Sequence, residues 1–126
     1  MPAYNFSVFI DKVALGEKLC TIRRQRKRPT VVGDVLFLYK GMRTKECMRL
    51  RVVVCRKVSP IRIVYNRVLR VRLSGRWLKQ DEICELARRD GFERLQDFVG
   101  FFCKVRLAFE GELIEWSKSG GAIDYV

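Results

Sequence analysis

Cys47-Met48-Arg49-Leu50-Arg51-Val52-Val53-Val54-Cys55-Arg56-Lys57-Val58 is followed, after Ser59-Pro60, by Ile61-Arg62-Ile63-Val64-Tyr65-Asn66-Arg67-Val68-Leu69-Arg70-Val71-Arg72-Leu73. Side chains alternate across an extended chain, so a two-residue period separates the faces. In the first run Met48, Leu50, Val52, Val54 and Val58 share one face, and Arg49, Arg51 and Lys57 the other. In the second, Ile61, Ile63, Tyr65, Leu69, Val71 and Leu73 face one way, and Arg62, Arg70 and Arg72 the opposite way. Ser59-Pro60 is expected to interrupt the pairing. Asn66-Arg67 is expected to turn, splitting the second run into two strands. Apolar-in, arginine-out strands of this kind suit a barrel or strongly curved sheet with a packed interior.

The arginines belong to a larger asymmetry. The chain has 126 residues and a net charge of +12. Residues 18–79 carry 19 Lys/Arg against only Asp34 and Glu46, whereas residues 80–126 are net acidic. A concentrated positive field of this kind suits RNA or another nucleic acid, with single-stranded RNA the expected partner. An acidic protein partner would fit the charge equally well. No apolar run approaches the ~20 residues that span a bilayer, and no secretory signal is read at the N-terminus. A cytoplasmic protein without membrane attachment is therefore expected. The length fits a single domain over 1–126, with a loose tail from 117.

There is no histidine. This excludes imidazole-based triads, paired-histidine RNA cleavage and most catalytic zinc sites. The five cysteines, at 20, 47, 55, 84 and 103, are odd in number and form no Cys-x-x-Cys pair. Reduced thiols are expected, with no metal and no cofactor.

Outside the central strands, Tyr4–Ile10 alternates like a short strand. Asp11 is placed to cap a helix that Gly16 ends. Gly33-Asp34 turns into a strand over Val35–Tyr39, covered on both faces, and an exposed basic loop follows from Lys40 to Lys45. Ile83, Leu86 and Ala87 predict a helix over Lys79–Arg89. Asp90-x-x-Glu93 reads as the capping box of a second helix bearing Phe92, Leu95, Phe98, Val99 and Phe102. Val105–Trp116 returns to a strand, with a bend expected at Gly111.

The chemistry-bearing stretch is Gly16-Glu17-Lys18-Leu19-Cys20-Thr21-Ile22-Arg23, running into Arg24-Gln25-Arg26-Lys27-Arg28. If it is extended, Thr21 and Arg23 share a face, within reach of Lys18 from the preceding turn. A hydroxyl, an ammonium and a guanidinium together could hold a phosphate or a carbonyl oxygen. Asp90, placed after one helix, where the dipole disfavours a carboxylate, and before the next, is the acid to watch.

These features in order resemble the ASCH domain (activating-signal-cointegrator homology) of the PUA-like superfamily. The matching residues are Gly16-x-Lys18-x-x-Thr21-x-Arg23, Gly33-Asp34-Val35-Leu36, Ala87-x-x-Asp90-Gly91-Phe92 and the closing strand ending in Trp116. The resemblance implies an α+β fold: a small PUA-like β-barrel of about five to six strands flanked by helices, with a cleft at the Lys18 turn. It implies binding of RNA or modified nucleotides. One branch, the small bacterial acetylcytidine amidohydrolases, uses a Lys, a Thr and a Glu. Lys18 and Thr21 fall on the first two positions and Asp90 near the third, one methylene shorter.

In an amidohydrolase Thr21 would be the nucleophile, Lys18 its base, Asp90 the group that orients Lys18, and Arg23 the oxyanion donor. In a metal-independent ribonuclease Lys18 and Arg23 would bind the scissile phosphate. In a binding module the same residues would hold a phosphate. Arg24, Arg26, Lys27, Arg28, Arg43, Lys45, Arg49, Arg51, Arg62, Arg70 and Arg72 would then supply the contact to the nucleic-acid backbone, with Tyr39, Tyr65 or Trp77 to stack a base.

Overall fold

The structure, a computed structural model, describes residues 2–104 and 107–117. It contains β1 (Ala3–Asn5), α1 (Ile10–Ala14), β2 (Cys20–Arg23), β3 (Val35–Lys40), β4 (Met48–Asn66), β5 (Val68–Leu73), β6 (Arg76–Trp77), α2 (Gln80–Arg89), α3 (Leu95–Phe102) and β7 (Ala108–Trp116). The α+β class expected from the sequence is found, as one seven-stranded sheet with three helices. No helix among the described residues is long and apolar enough to cross a membrane.

Everything is hung on β4, which runs 19 residues. Its first half pairs with β3 and its last part with β5, both antiparallel. β7 pairs with residues 55–64 of β4 along the opposite edge and carries β2 on its far side. β1 joins β3 in parallel. Pro60 does not interrupt the strand as expected. Its carbonyl accepts from the Ser74 N–H at 2.9 Å, so the missing N–H faces the same edge, beyond the last pair with β5, where no ladder bond needs it. Asn66-Arg67 does turn, with Arg67 in the left-handed region (φ 65°), and delivers β5.

Two cores sit along β4. Val53 and Cys55 pack with Tyr4, Phe6, Val13, Leu36, Leu38 and Trp116. Ile61 and Ile63 pack with Leu69, Val71, the helix residues Ile83, Leu86, Ala87 and Phe98, and Leu113. Val53 and Cys55 are a correction to the phase expected for Cys47–Val58, where Met48, Leu50, Val52, Val54 and Val58 were placed inward. Met48 is exposed and Leu50 and Val58 only flank the core, while Val52 is buried as expected but belongs to neither cluster. The ladder slips at Leu50 and again at Arg56, so the odd-numbered side chains of β4 meet one core before Arg56 and the other core after it. In the second run Ile61, Ile63, Leu69 and Val71 are buried as expected, but Tyr65 is exposed.

The strand expected over Tyr4–Ile10 ends at Asn5. Phe9 adopts a left-handed conformation (φ 58°) and starts α1 at Ile10, so Asp11 lies in the first turn rather than at the cap. The last strand begins at Ala108; the expected start at Val105 and the tail beyond Ser117 lie outside the described residues.

The barrel does not close. β3 and β5 occupy successive lengths of one edge of β4, and no described ladder joins β1 to β2. Side chains cross that seam instead. The Arg23 guanidinium donates to the Asn5 carbonyl at 2.7 Å, and Arg26 to the Ala3 carbonyl at 2.8 Å.

On its inner side β2 presses against β7 so closely that a Cβ at Gly111 would lie 2.2 Å from the Arg23 carbonyl oxygen. The backbones must separate to admit any side chain there. Gly111→Ala is therefore expected to cost about 3 kcal/mol by urea unfolding, an overpacking penalty. Gly100→Ala, on α3 with open space around the position, should cost nothing comparable.

Candidate functional site

Asp90 does not cap the second helix. It is the C-cap of α2, and α3 starts later, with Arg94 at its N-cap. The Gly91 N–H bonds the Arg88 carbonyl at 3.0 Å and the Phe92 N–H bonds the Ala87 carbonyl at 2.9 Å. This double closure with a left-handed glycine (Gly91, φ 111°) is a Schellman ending, and Phe92 is its apolar contact. A Cβ on Gly91 would also lie 2.9 Å from the Phe9 ring, which meets Phe92 edge-on at 4.8 Å.

That ending places a carboxylate at the negative end of a helix, where the dipole disfavours it. Lys18 answers both. Its Nζ donates to Asp90 Oδ1 at 2.5 Å and to the Asp90 carbonyl at 2.6 Å, with Lys18 only 4% exposed. Lys12 donates to the Gly91 carbonyl at 2.9 Å. Burial pushes the Asp90 carboxyl above its usual range, against the pull of Lys18 and Arg23.

Thr21 and Arg23 lie on one face of β2, as the alternation requires. Arg23 Nε donates to Thr21 Oγ1 at 2.9 Å, and its guanidinium lies 4.7 Å from the centre of the Phe6 ring. Burial pushes the Arg23 guanidinium down from its usual range, opposed by Tyr4 and Asp90. Lys18, Thr21, Arg23 and Asp90 thus meet in one cleft of about 640 Å³, as the sequence suggested. It lies beside the unpaired seam between β1 and β2.

The aromatic walls were not foreseen. Phe6, Phe9, Phe92, Phe101, Phe102 and Phe109 line the cleft, with Lys104 at its edge. Phe101 is 52% exposed there. The available signal was Phe101-Phe102, two adjacent rings that cannot both follow one helical face. Cys20 is buried beneath, and its thiol is pushed up to about 12 by that burial.

Of the other cations expected to contact nucleic acid, Arg24 lines the cleft, over the Phe109 ring at 5.0 Å. Arg26 packs on Tyr4 at 5.3 Å, while Lys27 and Arg28 are exposed on the same connection. The connection is pinned by a 2.5 Å hydrogen bond between Thr30 and the Tyr4 hydroxyl. Arg43 and Lys45 are exposed after β3, on a turn whose Met42 N–H bonds the Asn5 side chain. Arg49 is exposed and Arg51 half-buried on β4. Arg62, Arg70 and Arg72 lie apart, on the outer face of β4 and β5. Among the described residues no group of three or more His, Cys, Asp or Glu is placed to hold a metal ion.

No family model, curated protein or solved structure matches the chain.

Two outcomes follow from this geometry. Lys18→Met and Asp90→Leu, each stranding a buried partner, should cost about 3–5 kcal/mol in urea unfolding, whereas the double variant should recover about 2 kcal/mol or more of their sum. Additive costs would show that the two groups are uncoupled. With its thiol held at about 12, Cys20 should be ionised in only about one molecule in ten thousand at pH 8. Exposed Cys47 and Cys84 should therefore react rapidly with a disulfide reagent while Cys20 does not.

Proposed function

We propose that the chain is a PUA-like, ASCH-type module that binds single-stranded RNA and takes one nucleotide into the Lys18–Asp90 cleft. The observation that carries this reading is the polar floor inside aromatic walls. Lys18 has one N–H beyond the two it gives to Asp90, and Thr21, accepting from Arg23, keeps its own hydrogen to donate. Asp90 Oδ2 accepts no hydrogen bond among the described residues. Donors and an acceptor at fixed positions suit the edge of a base, and phenylalanine rings suit its faces. The volume fits a nucleotide-sized ligand. The turn bearing Arg43 and the connection bearing Arg26 are both tied to β1, which supports a cationic collar at the cleft mouth.

A second reading is hydrolysis, of an acetylated cytidine or of the RNA chain. The meeting of Lys18, Thr21 and Asp90 in one cleft favours it. Against it, both oxygens of Asp90 that Lys18 reaches engage it as a donor, which suits ligand binding better than proton abstraction from Thr21.

The test is a twelve-nucleotide RNA carrying one acetylated cytidine, with Thr21→Val as the variant because it leaves the ion pair whole. Binding by fluorescence anisotropy should weaken about 50-fold between 50 and 200 mM salt if four phosphates are engaged. Thr21→Val should weaken it further by about fivefold, the loss of one hydrogen bond. RNA masses should stay unchanged. Absent or salt-independent binding would overturn the reading. Loss of an acetyl group, or shorter fragments, dependent on Thr21 would replace it with the hydrolytic one.

A further inference from the structure

The outer face of the β4–β5–β6 meander carries charge that the fold does not need. Its inner face is complete, with Ile61, Ile63, Leu69 and Val71 buried. Outside, the ladder registers set Glu110, Arg62, Arg72 and Trp77 in one row across β7, β4, β5 and β6. Arg62 and Arg72 are direct cross-strand partners, about 5 Å apart at Cβ, and like charges so placed repel. Arg62 has Glu110 at 3.2 Å. Among the described residues neither Arg70 nor Arg72 has a carboxylate within salt-bridge distance.

Both instead lie against Trp77. The Arg70 guanidinium lies 4.0 Å from the ring centre and that of Arg72 5.8 Å. A tryptophan 41% exposed on a two-residue edge strand contributes little to the core. Held by Arg70 and Arg72, it is a fixed aromatic plate beside two cations, with part of its surface open. A groove of about 580 Å³, lined by Arg62, Arg72 and Gln25, runs beside it. Gln25 directly follows Arg24, which lines the cleft, so groove and cleft share one wall. Two carboxylates, Glu110 and Glu112, also border this groove. The groove's own cations are Arg62 and Arg72, and Arg72, which also lies 5.8 Å from the Trp77 ring centre, joins the groove to the plate.

We propose that this face is a second nucleic-acid contact, holding the backbone of a single strand on Arg70 and Arg72 while one base stacks on Trp77. It extends the reading of the cleft as an RNA site and stands on different residues. A strand seated in the cleft would leave past Arg24 and Gln25 and cross the groove. Two phosphates and one stacked base are the expected contacts. Guanidinium forks suit phosphate oxygens, and stacking tolerates any base.

Trp77 supplies its own readout, since the other tryptophan, Trp116, is 4% exposed. A twelve-nucleotide oligouridine should quench the wild-type emission, and Trp77→Phe should abolish the quench. Arg70→Gln/Arg72→Gln should weaken the twelve-mer about tenfold and shrink the log–log salt slope by about 1.4, at about 0.7 per phosphate. The affinity of a trinucleotide seated in the cleft should not change. Circular dichroism confirms that each variant is folded. If quenching persists unchanged in Thr21→Val while trinucleotide binding in the cleft weakens, or occurs without any cleft binding in the wild type, the face stands alone. If the twelve-mer neither quenches Trp77 nor feels the double substitution, the proposal is overturned. It is equally overturned if polyglutamate quenches as strongly as the RNA.

Discussion

The contact between Lys18 and the C-terminal end of α2 is the constraint on which the site depends. A helix that ends in Asp-Gly leaves carbonyls without intrahelical partners and places a carboxylate among them. All of these are negative, and Asp90 is buried. Without a cation such an end would be costly to bury. Lys18 supplies the cation from the turn after α1, and Lys12 adds a second from α1 itself. Phe9 closes the junction over Gly91, where any side chain would collide with its ring. Three separate contacts thus fasten the N-terminal segment to α2. They also aim Thr21 and Arg23, since β2 begins two residues after Lys18.

The second constraint is the length of β4. One strand serving two cores must turn its buried side chains from one to the other along the way, and the slip at Arg56 does this between Cys55 and Ile61. The cost is that β3 and β5 share an edge of β4, so the sheet spreads instead of closing. The seam between β1 and β2 is left to side chains. Arg23 is drawn into that seam because the Asn5 carbonyl there has no strand partner on β2.

These two constraints differ in how well they can be read from sequence. The helix over Gln80–Arg89 is legible because Ile83, Leu86 and Ala87 keep one period without interruption. So is the hairpin at Asn66-Arg67, where alternation reverses across a short turn. Asp90 was ambiguous because Asp-x-x-Glu and Asp-Gly-Phe overlap on the same residues. The first pattern begins a helix and the second ends one. Gly91 holds the deciding information, since a left-handed residue belongs after a helix. The phase of β4 was not legible because Val52-Val53-Val54 is apolar on both faces and carries no alternation. The meeting of Lys18 with Asp90 joins residues 72 positions apart, and only a family resemblance, not periodicity, brought them together beforehand.

The open seam and the buried ion pair explain each other. A closed barrel would satisfy β1 and β2 through backbone ladders and would leave no room beside them for polar side chains. Leaving the ladder out exposes carbonyls, which Arg23 and Arg26 then cap, and this brings guanidinium groups to a place that packing alone would fill with apolar residues. Lys18 and Asp90 can be buried there because each has the other, and because the Asp90 carbonyl gives Lys18 a further partner. Replacing the pair with hydrocarbon would serve stability as well or better. The pair sits at the floor of a ring-lined cleft, rather than deep in either core, where Lys18 keeps a third N–H and Asp90 an oxygen beyond those they give each other.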